Sequence, residues 1–349
     1  MWTYVLQRLL LMIPTLFGIL LITFVVIQFV PGGPVEQMVA QFQGFEAGGA
    51  EGPGAAAAGG YRGRQGVDAV RVEEIKKLYG FDKPAPERFV QMIWQFVRFD
   101  LGRSFFHSKD VWQLMLEKLP VSITLGMWTF ILIYLISVPL GITKAVRAGT
   151  PFDTFTTFIV LLGYAIPSFV LGVILMVFLA GGTYFQWFPL RGLTSGNWDQ
   201  LGLLAKITDY LWHIALPVTA MVVGGFAGIT ILIKNSVLEE IRKQYVLTAR
   251  AKGVGERTVL WHHVFRNALI PIMTGFPAAF IGAFFGGSLL IETLFSLDGL
   301  GLLSYESVIR RDYPVVFGSL YVFTLIGLLT HLIRDLSYLW VDPRVKYFD

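Results

Sequence analysis

Six stretches of this chain run for 21 residues or more without an Asp, Glu, Lys or Arg. Counted strictly between flanking charges, they are 27 residues from Arg8 to Glu36, 25 from Lys118 to Lys144 and 37 from Asp153 to Arg191. The other three are 24 from Asp209 to Lys234, 25 from Arg266 to Glu292 and 21 from Asp312 to Arg334. Roughly 20 apolar residues carry a helix across the hydrocarbon core of a bilayer. The expected fold is therefore an all-α integral membrane protein, with transmembrane helices near 9–30, 119–142, 154–180, 212–233, 268–291 and 314–333. Only 15% of the residues are charged, against about 25% in soluble domains. The first window reads as a retained helix rather than a cleaved leader. Its apolar core is long, and "PGGP" stands where a small-residue cleavage site would be needed.

Lysine and arginine set the orientation. With the N-terminus inside, the cytoplasmic segments hold 13 of them: Arg8, Lys144, Arg147, seven from Lys234 to Arg266, Arg334, Arg344 and Lys346. The two short outer loops hold 4: Arg191, Lys206, Arg310 and Arg311. The positive-inside rule puts both termini in the cytoplasm. The net charge of +4 is thus a topology and lipid-headgroup signal, and no nucleic-acid partner is inferred from it.

The first loop, 31–118, exceeds a simple connection. "FQGFEAGGAEGPGAAAAGGYRGRQG" (42–66) is a Gly/Ala-rich insertion with too little apolar surface to order itself. Deleting 44–64 is expected to leave assembly intact. From Asp68 the pattern turns helical and amphipathic to 118, in "DAVRVEEIKKLYG", "PERFVQMIWQFVRFD" and "DVWQLMLEKLP". Trp94 and Trp112 suit either a membrane–water interface or ordinary packing of a small domain.

Several chemistries are missing. There is no cysteine, so no disulfide, thiolate metal site or cysteine nucleophile. No G-x-x-x-x-G-K-[ST] loop is present to cradle phosphates. "GVG" at 253–255 lacks both the strand and the third glycine of a dinucleotide site. The adjacent His262 and His263 would splay about 100° apart on a helix, and no nucleophile elbow occurs. The chain is not expected to be an enzyme, or to bind a metal or cofactor. Placing no charge inside the six helices argues against proton or sodium coupling, with His213 and His331 near helix ends read as interfacial. "GAFFG" (282–286) matches the small-residue pattern that lets helices approach closely.

One cationic, glycine-broken stretch remains: "QYVLTARAKGVGERTVLWHHVFRNALIP", 244–271. From Thr258 on, Leu260, Trp261, Val264, Phe265, Ala268 and Leu269 form an apolar stripe opposite His262, His263, Arg266 and Asn267. Before it, "SVLEEIRKQYVLTARAK" reads as a second helix, ended by Gly253 and Gly255. Ala249 and Ala251 leave its end slim, and Arg250 and Lys252 make it positive. Such a surface suits either close approach of another protein or contact with anionic headgroups.

"YVLTARAKG…HHVFRNALIP" resembles the cytoplasmic EAA loop of ABC-importer permeases in the oligopeptide/dipeptide/nickel branch. The general Glu-Ala-Ala-x-x-x-Gly pattern falls on Leu247, Thr248, Ala249 and Gly253, of which the last two match. "YGFDKPAPERF", "FDLGRSF", "LPVSITLG", "AIPSFVLG", "HIALPV", "GGSLLIETLFSLDGLGLL", "RRDYPVV" and "VDPRV" resemble the B-type permease of that branch, closest to Yej-type importers of peptides and microcin C. The resemblance implies a type I ABC-importer permease fold in the bacterial inner membrane, with helix one in 1–30 and a periplasmic loop over 31–118. A core permease domain over 119–349 would carry the coupling loop 234–268. It implies four partners beyond membrane lipid: a second permease, an ABC ATPase that holds ATP and Mg, a periplasmic peptide-binding protein docking on 68–118, and a peptide substrate. Coupling would fall to Thr248, Ala249, Arg250, Ala251, Lys252, Gly253, Val254 and Gly255. Phe284, Phe285, Gly286, Ser288 and, at the outer mouth, Glu292 are candidates for the translocation path. A stand-alone channel, or the same machine with nickel or an oligosaccharide as cargo, are the alternatives.

Overall fold

The computed structural model describes residues 2–29, 82–182, 184–285 and 287–341. The insertion 42–66, the expected helix 68–80, Gly286 and 342–349 lie outside the described residues. Among those described, every regular element is helical, with one isolated antiparallel bridge between Arg103 and Asp110. Five helices are long and apolar enough to cross a membrane, or six spans result if one bent pair counts as a single crossing.

The chain divides into two compact units. The smaller comprises 7–115 and 304–325. Within it α1 (Trp2–Gln28) turns Met12, Leu20 and Phe24 inward at four- and eight-residue spacing, and leaves Leu10, Leu11, Ile13 and Ile22 exposed. α2 (Ala85–Val97) buries Phe89 and Phe96, seven residues apart on one face. Phe89 meets Phe24 at 5.1 Å between ring centroids, and Phe96 meets Tyr321 at 5.1 Å. The opposite face exposes Val90, Trp94 and Val97, with the Arg98 guanidinium 4.4 Å from the Trp94 ring. Two of the quoted sequence motifs meet at the loop that follows. The Asp312 carboxylate accepts from Ser104 Oγ at 2.5 Å and from the Phe105 N–H at 3.0 Å.

The larger unit comprises 1–6, 116–303 and 326–349. α3 (Val111–Val146) contains 36 residues, about 54 Å at 1.5 Å each. The expected separate helix over "DVWQLMLEKLP" is therefore the first part of α3. α4 (Pro151–Ala165) starts with Thr150 as N-cap and Pro151 in its first turn. It ends at Ile166, which is extended (φ −88°, ψ 117°) because Pro167 disfavours helical backbone in the residue before it. α5 (Ser168–Leu179) leaves at 92°. The expected single helix 154–180 is thus two helices.

α6 (Leu203–Ile241) follows, then α7 (Gln244–Ala251). The expected continuous helix "SVLEEIRKQYVLTARAK" is interrupted at Arg242 and at the extended Lys243. α8 joins Glu256–Thr258, a π-helical Val259–Phe265 and Arg266–Ala268. α9 (Ile270–Phe285) and α10 (Leu289–Leu294) together make the fifth apolar stretch. α11 (Leu300–Ile309) and α12 (Tyr313–Val341) complete the chain. These helices outrun the charge-free windows, so Asp153, Asp209, Lys234 and Glu292 all lie within helices, contrary to expectation. His213 is buried within the chain, its Nδ1 2.7 Å from the Asp209 carbonyl.

Close helix approach also falls one residue away from expectation. A Cβ on Gly282 would meet nothing within 4 Å, whereas one on Gly126 of α3 would lie 1.8 Å from the Ala283 carbonyl oxygen of α9. The small side chain that admits the neighbouring helix is therefore on α3.

Candidate functional site

The α7–α8 turn is built outward from an apolar floor. Val246 and Ala249 of α7, and Val259, Val264 and Ala268 of α8, pack with Ile142 and Ala145 of α3, Ile233 and Val237 of α6 and Ile272 of α9. Val246, Val259 and Val264 are at most 1% exposed, and a side chain so buried contributes roughly 1.5–3 kcal/mol. That floor, not the surface residues, holds the turn in place. Val259 and Val264 are five apart because the backbone between them is π-helical. One extra residue per turn shifts the buried face. Of the expected stripe, Leu260, Val264, Phe265, Ala268 and Leu269 pack on this core with Val259 beside them, while Trp261 is exposed.

α7 ends in a complete glycine cap. Gly253 has φ +79°; its N–H donates to the Arg250 carbonyl at 2.9 Å, and the Val254 N–H donates to the Ala249 carbonyl at 3.2 Å. These are the two bonds of a Schellman motif, and the accompanying apolar contact is supplied by Ala249 and Val254 against the floor. Two expectations for this region change here. Ala249 faces the chain's own interior, and Val254 is half-buried against the same core. The outward surface consists of Leu247, Thr248, Arg250, Ala251, Lys252, Gly253 and Gly255. A Cβ on Gly253 or Gly255 would meet nothing within 4 Å.

Polar ties flank the turn. Arg250 grips Glu256 with two contacts, Nη2 to Oε2 at 3.0 Å and Nε to Oε1 at 2.8 Å, spanning the glycine turn. Glu240, at the end of α6, takes the Tyr245 hydroxyl at 2.5 Å and pairs with Lys243. Asn267 Nδ2 donates both to the Tyr245 oxygen and to the His263 carbonyl, each at 3.0 Å. The bond to Glu240 raises the Lys243 pKa above its ordinary value. Burial, then the bond to Glu240, raises that of Tyr245. Lys243, Tyr245, Glu240 and Glu256 were not singled out in the sequence. The only hint of the last was a Glu six residues after an Arg across two glycines.

A second unforeseen cluster joins α3, α4 and α6. The Asp153 carboxylate forms an ion pair with Lys144 at 3.0 Å and accepts from Lys234 at 2.7 and 2.8 Å. Lys144, 1% exposed, also donates to the Asp153 carbonyl, Thr156 Oγ1 and Thr157 Oγ1. In the sequence these charges served only to mark window ends and orientation, yet "TPFD" carried the signal of a capped, acidic helix start.

The translocation-path candidates separate into two environments. On α9, Phe276, Phe280 and Phe284 form an aromatic ladder at i, i+4 spacing, with Phe130 of α3 5.2 Å from Phe276 and 5.7 Å from Phe280. Phe284 and Phe285 are half-buried, as is Ser288. Gly286 lies outside the described residues. Glu292 is 0% exposed, which corrects its placement at the outer mouth. Its carboxylate accepts the Ser288 N–H at 3.0 Å and the Leu302 N–H at 2.7 Å. Ser122 Oγ accepts the Leu300 N–H at 2.9 Å. The bonds to Leu300 and Leu302 satisfy N–H groups of the first turn of α11, and the bond to Ser288 satisfies one at the N-cap of α10. Burial follows from a real need: the carboxylate holds the turn 287–302 closed.

The family described as binding-protein-dependent transport system inner membrane component matches residues 137–347, and this chain belongs to it. The inner membrane ABC transporter permease protein YejB of Escherichia coli O157:H7 is 54% identical over 99% of both chains. The peptidoglycan transport system permease protein YejB of Agrobacterium fabrum is 53% identical over 99% of both. The oligopeptide transport system permease protein AppB of Bacillus subtilis is 32% identical, over 99% of this chain and 100% of that one. The chain is a permease subunit of an ABC transport system and not an enzyme.

Proposed function

We propose that this chain is one of two permeases lining the path of a bacterial inner-membrane importer for oligopeptides and peptide-like antibiotics such as microcin C. It crosses the membrane six times with both termini cytoplasmic. ATP and Mg are held by a partner ATPase that seats the α7–α8 turn in a groove. A periplasmic binding protein delivers the peptide on the other side, and membrane lipid covers the remaining apolar surface. The peptide cargo is supported by the oligopeptide permease named above and by a dipeptide permease of Escherichia coli, 29% identical over 99% of both chains.

The observation that carries the docking role is the open space around Gly253 and Gly255, on a turn anchored from below by a closed core. Gly255 N-caps α8 with ordinary backbone (φ −61°), so its backbone does not require the missing side chain. A surface that another protein must approach closely gains room from that absence. Closure of the ATPases would press on Thr248, Arg250, Ala251, Lys252 and Gly255, and the floor would pass the displacement to α3, α6 and α9. The aromatic ladder of α9 offers a path that binds peptide backbone and side chains without charge.

The test is co-purification in mild detergent with the partner subunits co-expressed. Gly255→Ala should retain the ATPase. Gly255→Trp should fold normally yet recover about tenfold less of it, a loss near 1.4 kcal/mol of binding. Stoichiometric ATPase and normal peptide uptake with Gly255→Trp would overturn the reading.

A further inference from the structure

The bent pair α4–α5 packs along α6 and, through α5, against α10, and ion pairs fasten the start of α4. Asp153, in the first turn of α4, is gripped by Lys144 from α3 and by Lys234 from α6. Their sequence neighbours, Ala145 and Ile233, belong to the floor under the α7–α8 turn. Beyond the 92° bend, Gly172 of α5 lies against α10. A Cβ there would be 2.9 Å from Leu294 Cδ2 and 3.4 Å from Ile291 Cδ1. Ile291 precedes Glu292, whose carboxylate closes the turn 287–302.

We propose that Asp153 is a positioning residue that makes the bent pair move with the floor beneath the α7–α8 turn, so that displacement of that turn reaches the turn closed by Glu292. The proposal rests on the docking role given above and adds the element that carries the stroke onward.

The chemistry of the cluster favours this over simple stabilisation. Buried ion pairs stabilise little relative to apolar residues of the same size, since desolvation offsets attraction. In this cluster the geometry specifies register. Lys144 satisfies its ammonium on three acceptors of α4 at once, the Asp153 carbonyl, Thr156 and Thr157, in addition to the carboxylate. Sliding α4 by one turn would strip all of them and leave a buried ammonium bare. An apolar contact would tolerate such slippage. Two helices tied to one carboxylate therefore move as a unit with the third.

The experiment uses the complete transporter, with its second permease, ATPase and binding protein, in lipid vesicles. Lys234→Met leaves Lys144 and Asp153 paired one to one and cuts only the tie to α6. Asp153→Asn removes the charge, and Asp153→Glu keeps it. Peptide uptake per ATP hydrolysed should fall about tenfold in Lys234→Met, within the usual range of coupling free energies. ATPase recovery and basal hydrolysis should stay unchanged in that variant. Asp153→Glu should retain more coupling than Asp153→Asn. Wild-type uptake per ATP in Lys234→Met and Asp153→Asn would overturn the proposal. So would losses that follow only the amount of assembled complex, which is the behaviour of a merely structural residue. Gly255→Trp runs alongside. If it transports normally, the docking role fails and takes this proposal with it; if it alone is uncoupled, only the Asp153 tie is overturned.

Discussion

Two turns in the larger unit are rich in glycine, and they use it in opposite ways. Around the α7–α8 turn, Gly253 and Gly255 look onto empty space. In the turn 287–302 the glycines are crowded by the chain itself. A Cβ on Gly287 would lie 2.4 Å from the Gly301 nitrogen, and one on Gly299 would lie 2.6 Å from the Glu292 carboxyl carbon. The second set is explained entirely from within: small residues let a buried carboxylate reach backbone N–H groups. For the first set, only the left-handed backbone at Gly253 is explained internally. Gly255 N-caps α8, but nothing within the chain crowds it, and the open space beside it leaves room for a partner's close approach.

The contrast can be broken by substitutions graded in size of effect. Gly287→Ala should do the most damage, because its methyl collides with backbone that no rotamer change can move. A loss of about 3 kcal/mol or more is expected, read as a lowered unfolding temperature and poor monodisperse recovery in detergent. Glu292→Ala comes next. It strands the Ser288 and Leu302 N–H groups, for about 2–4 kcal/mol, and Glu292→Gln should recover part of that. A normal melting temperature for Glu292→Ala would show that the turn closes without its carboxylate.

Gly253→Ala should cost about 1–2 kcal/mol through its positive φ alone, since space for the methyl is free. Uptake by the folded fraction should persist. Gly255→Ala should change stability by less than about 0.5 kcal/mol. A larger loss in Gly255→Ala than in Gly287→Ala would reverse the comparison outright.

Much of this was legible in the sequence, and the reasons for the exceptions are physical. Charge-free windows located every long helix, because a bilayer punishes charge more strictly than any packing preference. They misjudged helix ends, since the helices continue past the windows, where Lys144 and Asp153 are buried as a pair. Pro167 announced a perturbation, but only coordinates turn a proline into a 92° bend. In the α7–α8 turn, "AKGVG" signalled a stop and a slim surface, and the Schellman cap obeys it. Ala249 was misassigned because alanine suits a docking face and a tight core equally well; its carbonyl in the cap and the π-helical shift of α8 settle its direction. Glu292 looked like a mouth residue because a carboxylate beside an apolar window usually seeks water. The backbone donors that draw it inward come from residues 288 and 302, and linear reading does not bring them together.

The central claim is that the outward face of the α7–α8 turn is the seat of the ATPase. A photoreactive side chain placed at Ala251, with the same group at Gly282 as the reference, tests it most directly in the assembled transporter. Both positions are exposed in this chain. Illumination should join position 251 to the ATPase and position 282 to something else, with the 251 adduct lost on Gly255→Trp. An ATPase adduct absent from 251 in a complex that hydrolyses ATP and takes up peptide would contradict the account.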